Sequence, residues 1–173
     1  AARLVMDNYD GGDFGITVAG ALNVNGANFV ATRPGRGTSS GVIVLQNGRV
    51  AANNATFGWD SFDLRNNSLL NAGNLVDNTF QTIVRAPGTY VPLLAGADLK
   101  ANKSFKDVHV IAGSLNSGTL TLGRMGSAPN ADANLQYVFP GNYAVKTGAT
   151  LNIAAGQSYH LHGQNSFAQA DLV

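Results

Sequence analysis

His160 and His162 are the residues whose spacing best suits a metal ion. Two residues apart on a strand, both imidazoles leave the same face and could reach one ion, with His109 as a third ligand if the fold delivers it. The plain alternative is a set of surface or interface histidines. Asp7, Asp10 and Asp13, in Asp-Asn-Tyr-Asp-Gly-Gly-Asp, bring clustered oxygens beside glycines, which suits calcium. Their spacing is not that of an EF-hand loop, and an acidic N-terminal segment explains them as well. Arg33-Pro34-Gly35-Arg36-Gly37-Thr38-Ser39-Ser40-Gly41 could cradle a phosphate through glycine amides and arginines. It lacks the Gly-Lys-Ser/Thr ending of a P-loop and reads equally as a loop meeting a neighbouring subunit.

Asp60 and Asp63 could act as paired carboxylates, or could simply cap the start of a helix. Trp59, with Tyr90, Tyr137 and Tyr159, could form a platform for stacking sugars, or could be core aromatics. Sequons at Asn54, Asn66 and Asn102 carry little information in a chain so rich in Asn. No Ser-His-Asp arrangement stands out. Gly156-x-x-x-His160-x-His162 is faintly similar to the cupin metal motif, which implies a cupin-like metalloenzyme. Cupins need a following Glu, and this chain contains none. The reading therefore assigns no catalytic, cofactor or metal residue and expects no enzyme and no cofactor.

The elements that must position these groups are cut short by turn signals. With 173 residues the chain suits one domain, 1–173, with a hydrophobic core. Charged residues are only 12%, about half the usual share of roughly 25%. All acidic residues are Asp. Losing a good helix former agrees with a strand-dominated fold, and it removes any Glu acid or H-E-x-x-H site. A net charge of +1 gives no basic field for nucleic acid. Absence of Cys removes disulfides and thiolate chemistry. The N-terminal residues lack a signal peptide's apolar stretch, and nothing approaches the roughly 18 apolar residues of a membrane span.

Asn25-Gly26, Asn47-Gly48, Pro34-Gly35, Pro87-Gly88 and Pro140-Gly141 read as reverse turns between antiparallel strands. Across Asn25-Gly26 the expected hairpin pairs Val24 with Ala27, Asn23 with Asn28 and Leu22 with Phe29, leaving apolar residues on one face. A second hairpin joins 42–46 to 49–52. Further strands are expected at 56–59, 79–84, 89–91, 105–111, 119–122, 135–139, 150–153 and 158–162, with a closing strand at 167–173. One helix is expected over 60–72, stopped by Gly73. Ala86-Pro87-Gly88-Thr89-Tyr90 and Phe139-Pro140-Gly141-Asn142-Tyr143 look alike, but the similarity is too short to read as a duplication. Strands at turn spacings of about eight to twelve residues predict an all-β sandwich or barrel with at most one short helix.

This pattern resembles a single-jelly-roll viral coat protein. Ala2-Arg3-Leu4-Val5-Met6-Asp7-Asn8-Tyr9 and the run from Phe105 to His162 are most similar to the small major capsid protein of tailless, membrane-containing icosahedral bacteriophages of Thermus. The resemblance implies a jelly roll of about eight core strands, with assembly arms at 1–14 and 167–173. It implies a structural protein of the virion, made in the host cytoplasm and building a shell with a second, larger coat protein. Partners would be further copies of itself, including a strand-exchanged dimer, near an internal viral membrane and without direct nucleic-acid contact. The alternative from a different class is a carbohydrate- or receptor-binding β-sandwich of the adhesin or spike type.

Overall fold

The chain coils instead of doubling back. The computed structural model describes residues 2–6, 14–31, 40–45, 47–64, 68–111, 113–130 and 135–161. A first rung carries β1 (Arg3–Met6), β2 (Phe14–Val18) and β3 (Ala21–Asn25). The second carries β4 (Asn28–Ala31), β5 (Ser40–Leu45) and β6 (Arg49–Asn53). Next come β7 (Thr56–Gly58), β8 (Ser61–Asp63) and β9 (Leu75–Val76). In the following rung β10 (Thr79–Ala86) runs into a 3-10 turn (Gly88–Tyr90) and the short helix α1 (Val91–Ala95). Above it lie β11 (Ser104–Val110), β12 (Gly113–Leu115) and β13 (Gly118–Leu122). Then come β14 (Gln136–Phe139), β15 (Tyr143–Val145) and β16 (Ala149–Ile153), and β17 (Ser158–Leu161) opens another rung.

Every pairing between these strands is parallel and joins one rung to the next. Arg3 stands beside Asn28, Asn28 beside Thr56, Thr56 beside Thr79 and Thr79 beside Ser104, steps of 25, 28, 23 and 25 residues. A parallel neighbour needs a crossover of a dozen or more residues, and here the other faces of the same rung supply it. The architecture is a parallel β-solenoid.

This corrects the jelly-roll sandwich or barrel expected from the turns. Asn25-Gly26 does separate two strands, but β3 pairs with β6 while β4 pairs with β1 and β7. A two-residue type I′ hairpin needs positive φ at both central residues. Gly26 has it (φ +64°), whereas Asn25 is the last residue of β3. At Asn47-Gly48 the left-handed residue is Asn47 (φ +56°). One left-handed residue bends the chain around a corner without reversing it. The corner repeats: Gly26, Asn54 and Asp77 are all left-handed at equivalent places in successive rungs. Pro87-Gly88 opens the 3-10 turn instead of a type II turn. The Pro34-Gly35 turn lies outside the described residues.

Several element expectations fail for the same tertiary reason. No helix spans 60–72: Ser61–Asp63 is β8, held on both sides by β5 and β10. Phe62 and Leu64 then alternate inward, both fully buried. The strand expected at 89–91 is the 3-10 turn leading into α1, where Pro92 sits in the first turn and Gly96 (φ +74°) ends the helix. The similar fragments around Pro87 and Pro140 occupy matching places, because Arg85 stands beside His109 and His109 beside Val138. They are rung equivalents, so the short likeness marked a real repeat. Of the two expected arms, Arg3–Met6 is β1 in the sheet, while 7–13 and 167–173 lie outside the described residues.

Stacking in register turns each inward position into a column. Phe29, Phe57, Phe80 and Phe105 occupy one position of successive rungs, with ring centroids 5.0, 5.1 and 5.0 Å apart and planes nearly parallel. Such aromatic pairs contribute about 0.5–1.5 kcal/mol each beyond their burial. Ile43, Phe62, Val84, Val108 and Tyr137 form the neighbouring column, and all are buried. At the corner before the Phe column, Asn78 and Asn102 are buried and amide-paired. Asn78 Nδ2 donates to Asn102 Oδ1 (3.0 Å) and to the Ala52 carbonyl (2.9 Å), and Ala55 N donates to Asn78 Oδ1 (2.9 Å). Asn102 Nδ2 donates to the carbonyls of Leu75 (3.1 Å) and Leu94 (2.9 Å), tying β9 and α1 to the same corner.

Candidate functional site

Outward positions form rows as surely as inward ones form columns. In a strand alternate residues face solvent, and successive strands repeat them about 4.8 Å apart. On the outer face of β10, β11, β14 and β17 these rows line a cleft of about 690 Å³. Gln81 and Thr79 come from β10, and Ser104, Lys106 and Asp107 from β11. Gln136 comes from β14 and Ser158 from β17, and the register sets Asp107, Gln136 and Ser158 side by side. A β-bulge in β10, between Phe80 and Ile83, shifts the register where Gln81 enters the cleft. Bulges re-aim side chains in this way.

Ala128, Pro129 and Asn130 form one wall. Their approach is fixed by backbone pairing to the corner below: Ser127 N donates to the Asn102 carbonyl (2.9 Å) and Ala128 N to that of Lys103 (3.0 Å). Among the described residues the cleft's charged side chains are Lys106 and Asp107, with Nζ and Oδ2 4.0 Å apart. Its remaining polar lining consists of hydroxyls and amides, groups that both donate and accept. Nothing in the sequence reading singled out Gln81, Lys106, Asp107, Gln136 or Ser158. The readable signal was the recurrence of Phe29, Phe57, Phe80 and Phe105, each preceded by Asn, Thr or Ser. It marks the rungs from which these rows follow.

The residues singled out by sequence chemistry are largely dispersed. His109 and His160 do share a register row with Asp63 and Arg85, but Val138 stands between the two histidines. Two strand spacings separate them, about 9.6 Å. His162, the Asp7-Asp10-Asp13 segment and residues 32–39 of the arginine loop lie outside the described residues. Among the described residues no group of three or more His, Cys, Asp or Glu side chains could hold a metal. Asp60 is exposed while Asp63 is fully buried in β8, so the two do not form a pair at a helix start. Arg85 Nη1, next to Asp63 in register, donates to Ser61 Oγ (3.2 Å).

The aromatic platform is not a surface. Trp59 is buried and meets Phe29 edge-on at 5.3 Å. Tyr137 is fully buried, donates to the Gly123 carbonyl (2.7 Å) and stacks on Tyr159 at 5.8 Å. Burial, with the Tyr159 phenol alongside, pushes the Tyr137 hydroxyl far above its ordinary pKa. Burial also raises Tyr143 and Tyr159. Tyr90 donates to the Ser68 carbonyl. Of the sequons, Asn102 is buried and fully engaged, Asn54 is exposed, and Asn66 lies outside the described residues.

Fold and cleft together define the class: a parallel β-solenoid with a groove of mixed polar and apolar lining on one sheet. No family model, no curated protein sequence and no solved structure matches the chain.

Proposed function

We propose that this chain is a non-enzymatic recognition element whose β10–β11–β14–β17 cleft binds carbohydrate. The observation that carries the reading is the polar part of the described lining: Thr79 beside Ser104 and Gln136 beside Ser158 in register, with Gln81 and Asn130 nearby. Hydroxyl-rich ligands are recognised by groups that donate and accept at fixed places, and such places are held best on rigid elements. The ligand-binding surface differs from the one the sequence implied, since Trp59 and Tyr137 belong to the core. Glycan-array binding by the purified chain, weakened at least fivefold by Gln136→Ala or Ser158→Ala, is the expected result. Absence of binding to any glycan would refute it.

The resemblance to a phage coat protein carried a jelly roll with it, and the solenoid removes that support. A structural reading without that family rests on a different observation. Among the described residues β1 pairs with β4 alone and β2 with β5 alone, and Leu4 on that end is 44% exposed. Unpaired strand edges are templates for further strands. Solution mass by light scattering tests it: a monomer at all concentrations rules out assembly through this edge.

A further inference from the structure

We infer that the first-rung end of the solenoid docks a second copy of this chain, head to head about a two-fold axis. The inference rests on the assembly reading and names its partner and symmetry. Leu4 occupies the position that Phe29 holds in the second rung, Ile16 that of Ile43 and Leu22 that of Val50. Phe29, Ile43 and Val50 are buried, whereas Leu4 is exposed and Ile16 and Leu22 are only partly buried. Three apolar columns therefore run out to this end. Around them β1, β2 and β3, of four, five and five residues, each have one strand partner among the described residues. Terminal rungs of solenoids need a polar cap, and edge strands are normally blunted by charge, Pro or a bulge. These three strands carry one charged residue, Arg3, and no Pro, with a register shift only between Phe14 and Gly15.

Two observations choose the occupant. Because β2 and β3 are uncharged and β1 holds Arg3 alone, two copies meet here without facing blocks of like charge. The opposite end is largely closed. There β15 and β16 also have one described strand partner each, yet Tyr143, Val145 and Leu151 are buried and only Ile153 is exposed. Head-to-tail stacking, which would build a filament, needs two open ends; head-to-head contact needs one. Turning one solenoid over reverses the sense in which its chain circulates, so every edge meets an antiparallel partner. A two-fold axis through one face pairs that face's strand with its own copy and exchanges the other two. Such a contact closes at two copies. With so few residues a side, against about 20–30 in a standard interface, the dimer is weak and depends on concentration.

The test is analytical ultracentrifugation of the full chain from about 1 to 300 μM, the range of a weak complex. The mass should rise with concentration and stop at two copies. Leu4→Asp sets a carboxylate in the middle of the contact, where burial penalises it, and should weaken dimerisation about tenfold or more. Ile153→Asp, on the edge strand of the opposite end, should leave it unchanged. Circular dichroism of each variant confirms that the fold is intact. Growth beyond two copies, or equal weakening by Ile153→Asp, overturns the head-to-head arrangement while assembly through the first rung stands. A monomer throughout, or a dimer unmoved by Leu4→Asp, overturns both.

Discussion

Replacing Asn102 by Ala should remove a large share of the protein's stability although no charge, metal or aromatic contact is touched. The side chain makes four hydrogen bonds at a corner where it is 1% exposed. It accepts from Asn78 N (3.1 Å) and Asn78 Nδ2 (3.0 Å), and it donates to Leu75 O (3.1 Å) and Leu94 O (2.9 Å). Alanine leaves those partners behind in a site without ready access to water. A buried polar group left without a partner costs about 1–3 kcal/mol. The four are not independent, because the two Asn78 donors can relax together, so the expected loss is about 4 kcal/mol rather than the full sum. Set against a typical total of about 5–15 kcal/mol, that is about a quarter or more of the stability. Urea unfolding followed by far-UV circular dichroism measures it, with Asn23→Ala, on an exposed side of β3, as the reference. Asn23→Ala should stay within about 0.5 kcal/mol. A loss below about 1 kcal/mol for Asn102→Ala would refute the argument, since the corner amides would then be stabilising nothing.

Phe57→Ala breaks the Phe column between Phe29 and Phe80 and should cost about 3–5 kcal/mol in the same assay. The buried tyrosines give a pH prediction. Their pKa values are raised by folding, so the stability they contribute is complete below about pH 10, the unfolded value, and is lost as pH rises towards the folded values. Alkaline unfolding and tyrosinate absorbance should therefore appear together, and Tyr137→Phe should shift the transition to higher pH.

Strand positions were legible because they depend on local pattern. The alternation of Leu22, Val24 and Phe29 against Asn23 and Asn28 identifies buried and exposed sides correctly, even though the expected hairpin partners are wrong. An inward side chain is inward whether its strand meets a hairpin neighbour or the next rung. The turn dipeptides were the misleading signal, because Asn-Gly can supply one left-handed residue or two, and only the path of the chain distinguishes a corner from a reversal. The helix expected at 60–72 failed where β5 and β10 offered Ser61–Asp63 a partner on each side. The cleft was illegible for a related reason. Asp107, Gln136 and Ser158 are unremarkable until rungs of unequal length bring them into register.

Scarce charge also has a structural meaning. In a solenoid, equal positions stack about 4.8 Å apart, and two like charges at that distance repel by about 1 kcal/mol even in water. Rows of Asn, Ser, Thr and Gln avoid the repulsion, and where Asp63 stands beside Arg85 the neighbouring charges are opposite. Composition, the alternation of apolar residues and the spacing of turn residues thus determined by themselves that this chain is made of short strands with a neutral polar surface. Which strands meet, in which direction, and which outward residues share a groove were decided only in three dimensions. Parallel neighbours lie 19 to 31 residues apart, as with Val42 beside Ser61 and Gly118 beside Ala149, and no local pattern spans that distance.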